Sequence, residues 1–111
     1  MSINTQIPQT EWSEFFVAFS NGNQGREVTL EVFSVEEGAE GQARQGKLLA
    51  LDYDSPEKGN RLMLTTGEGE VEYSHTVDAP VEVMRAQEDD GEIEALEIID
   101  QQGVRTILSL K

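Results

Sequence analysis

Apolar and polar residues alternate along the chain with two different periods. Near the N-terminus, Trp12, Phe15, Phe16 and Phe19 follow the i, i+3, i+4, i+7 spacing of one helical face. We therefore predict a helix over about residues 10–21. An aromatic stripe on the only helix of a small domain is expected to fill the core, so we expect these rings to be buried.

Residues at both ends of this segment also favour a helix. Thr10 is a candidate N-cap, and Glu11 and Glu14 would lie near the positive end of the helix dipole. The helix is expected to end at Asn21–Gly22, because glycine is common just beyond the last helical turn.

From residue 26 onward the period becomes two, which is typical of strands with one buried face. Two segments show this pattern best, with apolar or amphipathic positions at Val28, Leu30, Val32 and at Val71, Tyr73, His75, Val77. We predict an α+β fold in which the N-terminal amphipathic helix packs on a curved antiparallel β-meander or partly open barrel. About six or seven strands would lie within residues 26–110, and residues 1–111 are expected to form a single domain.

Turns and loops divide the predicted strands. Asp78-Ala79-Pro80 and Asp90-Gly91 are turn sequences, and the second is typical of a hairpin. A polar, glycine-rich stretch over residues 36–46 is expected to be a mobile loop. Phe33 lies just before this loop, and the sequence leaves open whether its ring is an exposed contact or is buried under the loop.

The charge of the chain narrows the classes of partner. It has 22 acidic and 8 basic residues, for a formal net charge of −14. Such a surface repels phosphate backbones and anionic lipids, so we expect no direct binding to nucleic acid or membrane. Acids are densest after residue 87, and we predict a contact face for a basic protein partner there. Its residues are Glu88, Asp89, Asp90, Glu92 and Glu94.

The sequence offers few residues for catalysis or cofactor binding. With no cysteine and one histidine, it predicts no cofactor, no catalytic residue and no transition-metal site. Residues 41–47 match the glycine and lysine spacing of a phosphate-binding loop, but Leu48 replaces the magnesium-binding hydroxyl residue and a strand is expected to follow. A calcium-loop pattern beginning at Asp52 also fails, because Met63 stands where the bidentate glutamate belongs.

Besides the protein contact face, two further binding interpretations remain open on the sequence. Tyr73 and His75 share a strand face, and with Arg85 as a possible neighbour across a hairpin they could line a pocket for a small ligand or a minor enzymatic activity. The interpretation that we favour for Tyr73 and His75 is structural: both are amphipathic residues that close one end of the barrel. A third interpretation is weak divalent-cation binding by Asp89, Asp90 and Glu92.

The cellular location is predicted from the N-terminal residues, the length of the apolar runs and the cysteine content. The N-terminal residues have neither a basic nor an apolar secretory region, and the apolar runs are far shorter than the roughly 20 residues that span a membrane. The absence of cysteine fits a reducing compartment. We therefore predict a cytoplasmic protein.

Short motifs spread over the chain resemble one family. They are Ile7-Pro8, Glu11-Trp12, Phe15, Phe19-Ser20, Gly25, Val28-Thr29-Leu30-Glu31-Val32, His75-Thr76 and Ala95-Leu96-Glu97-Ile98. Together they resemble an uncharacterised bacterial family of small acidic proteins, domain-of-unknown-function family 5335. The resemblance covers nearly the whole chain, and it implies a bacterial, cytosolic, single-domain protein. It implies no activity, cofactor or catalytic residue.

These observations lead to one functional hypothesis. We expect a non-catalytic cytosolic protein that acts through protein contact or as a homodimer, because composition excludes most catalytic chemistry. The contact would be the acidic hairpin or a free strand edge, whose unpaired backbone groups a second chain can extend.

Overall fold

A computed structural model describes residues 3–34 and 42–110 of the chain. It is mostly sheet, with 57% of the described residues in strands and 18% in helices. Eight antiparallel strands form one open sheet that carries one short α-helix. The prediction of an α+β fold with six or seven strands was therefore wrong, in the number of strands and in the weight given to the helix.

The elements follow one another along the chain with short connections. The strands are β1 (Ile3–Gln6), β2 (Glu27–Phe33), β3 (Gln42–Asp54), β4 (Arg61–Thr66), β5 (Tyr73–Asp78), β6 (Pro80–Gln87), β7 (Ile93–Asp100) and β8 (Arg105–Leu110). The helix α1 is Trp12–Asn23, and the two 3-10 turns are Gln9–Glu11 and Pro56–Lys58.

The strand order differs from that of a single meander. The order across the sheet is β1-β6-β7-β8-β2-β3-β4-β5, with every neighbouring pair antiparallel. Strands β2 to β5 form one meander and β6 to β8 a second, and the second joins the first through the pairing of β8 with β2. The C-terminal strand therefore lies near the middle of the sheet, while β1 and β5 are its edges.

Strand β1 was missed from the sequence because its residues lack the usual signal. Ile3-Asn4-Thr5-Gln6 is short and polar, so it shows no alternation of apolar and polar positions. It pairs with β6, from Ile3 opposite Gln87 to Gln6 opposite Met84. The pairing is continued by Ile7, whose backbone N–H donates to the carbonyl of Val83 at 2.8 Å.

The helix lies slightly later in the chain than predicted. Thr10 is inside the 3-10 turn, and Glu11, with no side-chain capping bond, precedes the first helical residue, so the predicted N-cap was wrong. Gly22 is still helical, and the helix ends at Asn23, whose side-chain amide donates to the carbonyl of Phe19 at 2.8 Å. Gly25 then takes a positive φ of 85°, which glycine tolerates without strain.

The helix buries its aromatic face against the sheet, as the spacing predicted. Trp12, Phe16 and Phe19 are buried, and Phe15 is partly buried against them. The helix packs mainly on β3, where Tyr53 contacts the rings of Trp12 and Phe16 with centroids 5.7 Å away in both cases. The indole N–H of Trp12 donates to the carbonyl of Ile7 at 2.8 Å, which ties the helix to the β1 end of the sheet.

The long strand β3 belongs to both halves of the sheet. Its first half pairs with β2 and its second half with β4, and the register shifts between Leu48 and Ala50. Gln42–Gly46, predicted as part of a mobile loop, form the start of this strand, whereas residues 35–41 lie outside the described part of the chain. Val71 was predicted in a strand but lies before β5, with 62% of its surface exposed.

Candidate functional site

The edge strand β5 is the candidate site, and its position follows from how the sheet curls. Strands β5 and β8 are four places apart, which in a flat sheet would separate them by about 19 Å. The ring Nε2 of His75 nevertheless lies 3.1 Å from the hydroxyl of Thr106 on β8. The sheet therefore folds back until β5 crosses the inner face of its other half.

Side chains on β5 alternate between that interior and solvent. Tyr73, His75 and Val77 point inward, whereas Ser74 and Thr76 are exposed. Tyr73 and His75 thus share a face, as predicted. Strand β5 pairs with β4, from Thr66 opposite Tyr73 to Arg61 opposite Asp78. No other described strand pairs with β5, so one side of its backbone is free of interstrand pairing.

His75 is held in a partly buried position by its bond to Thr106, which is itself 1% exposed. Burial lowers the pKa of the His75 ring, because the charged form loses hydration there, and the negative charge of Asp100 offsets part of this shift. The neutral ring is therefore the form that suits the folded protein. His75 therefore links the edge strand β5 to β8.

This pKa shift predicts a pH dependence of folding. Because the pKa of His75 is lower in the folded state than its ordinary value of about 6.5, the unfolded chain binds more protons below that pH. We expect the stability gained from the neutral ring to be complete above pH 6.5 and to be lost as the pH falls below it. The free energies of unfolding of the wild type and of His75→Gln are measured with urea between pH 7.5 and 5, and the difference between them is followed with pH.

The His75→Gln variant controls for the titration of every group other than His75. Carboxylates affect both proteins alike, so the gap in unfolding free energy between them isolates the histidine. It should narrow or change sign as the pH falls through the window below about 6.5. A gap that stays constant over the whole range, or an NMR titration of the ring with an unshifted pKa, would contradict the assignment.

Tyr73 lies at the start of β5, against the first half of β3. The guanidinium carbon of Arg44 lies 4.0 Å from the centroid of its ring, within range of a cation–π interaction. A small cavity of about 120 Å³ adjoins this pair, with Leu30, Val32 and Ala43 as its other lining residues. The contact holds the start of β5 against β3.

Arg85 is placed elsewhere than the hairpin hypothesis assumed. Strand β6 pairs with β1 and β7 and not with β5, so Arg85 lies opposite Thr5 and Leu96. Its Nε atom is buried without a hydrogen-bond partner. Among the described residues, no hydrogen bond, ion pair or ring contact joins Arg85 to Tyr73 or His75, and their use as one ligand pocket stays a prediction.

The predicted acidic contact face is the turn of the β6–β7 hairpin. Gly91 has a φ of 89° there, and Asp90 accepts a hydrogen bond from the backbone N–H of Glu92 at 2.9 Å. A hydrogen bond with Glu94 and the charge of that residue raise the pKa of the exposed Glu88 carboxyl. Within residues 3–34 and 42–110, no group of three or more acidic or histidine side chains is arranged to hold a metal ion.

A larger cavity, which the sequence did not reveal, adjoins the start of β5. It has a volume of about 400 Å³ and lies between the β2–β3 pair and the β4–β5 loop. Three carboxylates and one amine line it, and Lys47 forms an ion pair with Glu68. Its lining residues are Glu27, Val28, Gln45, Gly46, Lys47, Gly67, Glu68 and Glu72.

The charges around this cavity are mostly negative. The pKa of Lys47 is raised by its hydrogen bond with Glu68, by the charge of that residue and, to a smaller extent, by Glu27. Gly46 and Lys47, the end of the apparent phosphate-binding motif, lie inside strand β3. No helix N-terminus follows them, so this wall favours cations over phosphate. The one signal in the sequence was the alternation of glutamates at positions 68, 70 and 72.

None of the helices formed by the described residues is long and apolar enough to cross a membrane.

Comparison with known proteins places the chain among bacterial relatives. The model of a family of unknown function, DUF5335, matches residues 3–111. An uncharacterized protein of Aquifex aeolicus (strain VF5) is 30% identical over 105 residues, which cover 95% of this chain and 89% of the relative. No solved structure gives a significant match. The resemblance drawn from the short sequence motifs is thereby confirmed, and the chain belongs to the family of unknown function DUF5335.

Proposed function

We propose that the protein is a non-catalytic, cytoplasmic binding protein that receives an extended segment of a protein partner along β5. The observation that supports this most is the one-sided pairing of β5 with β4. The outer side of such a strand presents backbone N–H and C=O groups in a row, and an added strand satisfies them.

The surroundings of β5 favour binding over turnover. His75, the one histidine of the chain, shares a hydrogen bond with Thr106, and Tyr73 is covered by Arg44. Both side chains are thus engaged with other parts of the sheet, and they hold the edge strand in place. A rigid, preformed edge lowers the entropy cost of adding a strand.

The outward side chains of β5 also suit a partner strand. Ser74 and Thr76 are small, exposed and uncharged. Natural sheet edges are commonly protected by lysine, proline or a bulge, and the stretch from Tyr73 to Asp78 contains no lysine, proline or register shift. An incoming strand would therefore meet neither a steric nor a charge barrier along the middle of β5.

The test is capture of a partner followed by mapping of the contact. The tagged full-length protein is used to isolate partners from the cytosol of its source organism at low and moderate salt, and hydrogen exchange is then measured on the purified complex. We expect the amides of β5 to exchange more slowly in the complex, because new interstrand hydrogen bonds protect them. Exchange of the amides of β1, the opposite edge, is the internal control.

Two results would contradict this function. One is a stoichiometric partner that protects only the β6–β7 hairpin or the β1 edge, since the contact would then lie elsewhere. The other is the absence of any enriched protein at both salt concentrations.

A further inference from the structure

We propose that the segment received by β5 is basic, and that one of its lysine or arginine side chains enters the acid-lined cavity beside the start of the strand. This inference rests on the proposed function, since it names the chemistry of the partner at the same edge. Three observations carry it: the charge of the chain around β5, the position of the cavity and the pairing of the cations nearby.

The chain that forms this edge is strongly acidic. Residues 67–78, which comprise the β4–β5 loop and β5, contain four acids and no lysine or arginine. The acids are Glu68, Glu70, Glu72 and Asp78. They lie at both ends of β5, so a segment laid along the strand passes between two negative regions. Complementary charge would speed its approach and disfavour acidic competitors.

Three basic residues of the adjoining strands β3 and β4 are already engaged in contacts of their own. Lys47 pairs with Glu68, and Arg61 lies 3.6 Å from a carboxylate oxygen of Asp54. Arg44 lies over the ring of Tyr73. Glu70 and Glu72 form none of these contacts, so they are negative charges that an incoming segment meets at the start of β5; Asp78, at its other end, lies opposite Arg61.

The cavity provides a place for a side chain of the incoming segment. Glu72 lines it and is the residue directly before Tyr73, so the cavity opens next to the first residue of β5. Its volume of about 400 Å³ falls within the range of roughly 300–1,000 Å³ found for ligand pockets. Glu27 faces it from β2, so a cation inside would have carboxylates on two sides.

Other occupants of the edge fit less well. A second copy that paired through its own β5 would place the four acids of residues 67–78 against the same four acids, and like charges across an interface cost binding energy. The acidic walls would also repel a nucleic-acid backbone. A basic polypeptide segment is the occupant that both the backbone edge and the charges accommodate.

Synthetic peptides of defined composition test the inference on the full-length protein. The first is an eight-residue peptide of alternating lysine and valine. The second replaces lysine by glutamate, and the third keeps the lysines but replaces valine by proline, which cannot add a strand. Binding is followed by fluorescence anisotropy at two salt concentrations and by hydrogen exchange of β5.

Matched variants assign the contact to the cavity. Glu72→Gln removes a cavity carboxylate, whereas Glu57→Gln removes an exposed acid in the turn before β4. We expect the lysine–valine peptide to protect β5 and to bind about two- to fivefold more weakly to Glu72→Gln, the effect of one exposed charge pair. Glu57→Gln should bind as the wild type does, and higher salt should weaken binding.

Each other outcome has a definite meaning. Equal protection of β5 by the lysine and glutamate peptides would overturn the charge inference but leave β5 as the receiving edge. Binding without protection of β5, or equal loss in both variants, would show general attraction to an acidic surface and overturn it. No binding of the lysine–valine peptide, or concentration-dependent self-association that protects β5, would overturn it too.

Discussion

Replacing Phe16 by alanine is expected to lower the free energy of unfolding by about 3–5 kcal/mol, the range for a fully buried phenylalanine. Phe16 is 1% exposed, and its ring lies 5.4 Å from that of Phe15 and 5.7 Å from that of Tyr53. The loss is large because the cavity would open where the helix meets β3. Small domains have total stabilities of about 5–15 kcal/mol, so this loss would remove a substantial share of the stability.

The next residue of the helix provides the control. Val17 is 60% exposed, and Val17→Ala should change the free energy of unfolding by less than about 0.5 kcal/mol. Urea unfolding followed by circular dichroism gives both values. A loss below about 1 kcal/mol for Phe16→Ala would mean that the helix does not cover the core as described.

Gly67→Ala is expected to destabilise the protein by at least about 1–3 kcal/mol, the cost of a strained backbone position. Gly67 has a φ of 152°, and an added Cβ would lie 2.0 Å from the carbonyl oxygen of Glu70. The added Cβ would also lie 2.9 Å from the backbone nitrogen of Glu72, and because both groups are backbone the β4–β5 loop itself must move. The hydrogen bonds from Gly67 to Lys47 and from Glu72 to Thr66 would be disturbed.

The same chemical change in the helix should have the opposite sign. At Gly22 nothing lies within 4 Å of an added Cβ, and alanine is the better helix former by about 0.5–1 kcal/mol. We therefore expect Gly22→Ala to raise the midpoint of thermal unfolding and Gly67→Ala to lower it. Because Glu68 and Glu72 line the cavity, Gly67→Ala should also weaken binding of the lysine–valine peptide. If Gly22→Ala and Gly67→Ala were equally stable, the close approach of Gly67 to the backbone of Glu70 would be disproved.

The parts of the structure that the sequence predicted are those with strong local periodicity. The aromatic spacing from Trp12 to Phe19 identified the helix and its buried face, and the alternation after residue 72 placed Tyr73 and His75 on one side of β5. Each pattern repeats over several residues within one element, so neighbouring positions support the same assignment.

The strand order depended on contacts that no local pattern contains. Asp78-Ala79-Pro80 was read as a simple turn, but Ala79 has a φ of 53°, accepts a hydrogen bond from Gln101 and donates one to Asn60. After Ala79 the chain leaves the edge strand β5 and continues as β6, which pairs with β1 and β7. The pairing of β8 with β2, which joins the two meanders, is also a contact between distant parts of the chain, and only the assembled structure shows it.

The candidate site was predictable in part. His75 and Tyr73 were selected because they are rare, amphipathic residues on a strand face, and their partners Thr106 and Arg44 come from distant strands. The cavity depends on three separated segments, around residues 27, 46 and 68, whose meeting is a property of the curled sheet. Glutamates in such segments look like ordinary surface residues until the fold assembles them.

The pairing of β2 with β8 also affects how the protein forms in the cell. Val28 and Leu110 are partners in the sheet although 82 positions separate them along the chain. During synthesis, β2 therefore leaves the ribosome long before its second neighbour exists, and one side of that strand stays exposed to other nascent chains. Completion of the sheet waits for the last strand, so premature termination anywhere before residue 105 leaves a chain that cannot close its centre and is prone to aggregate.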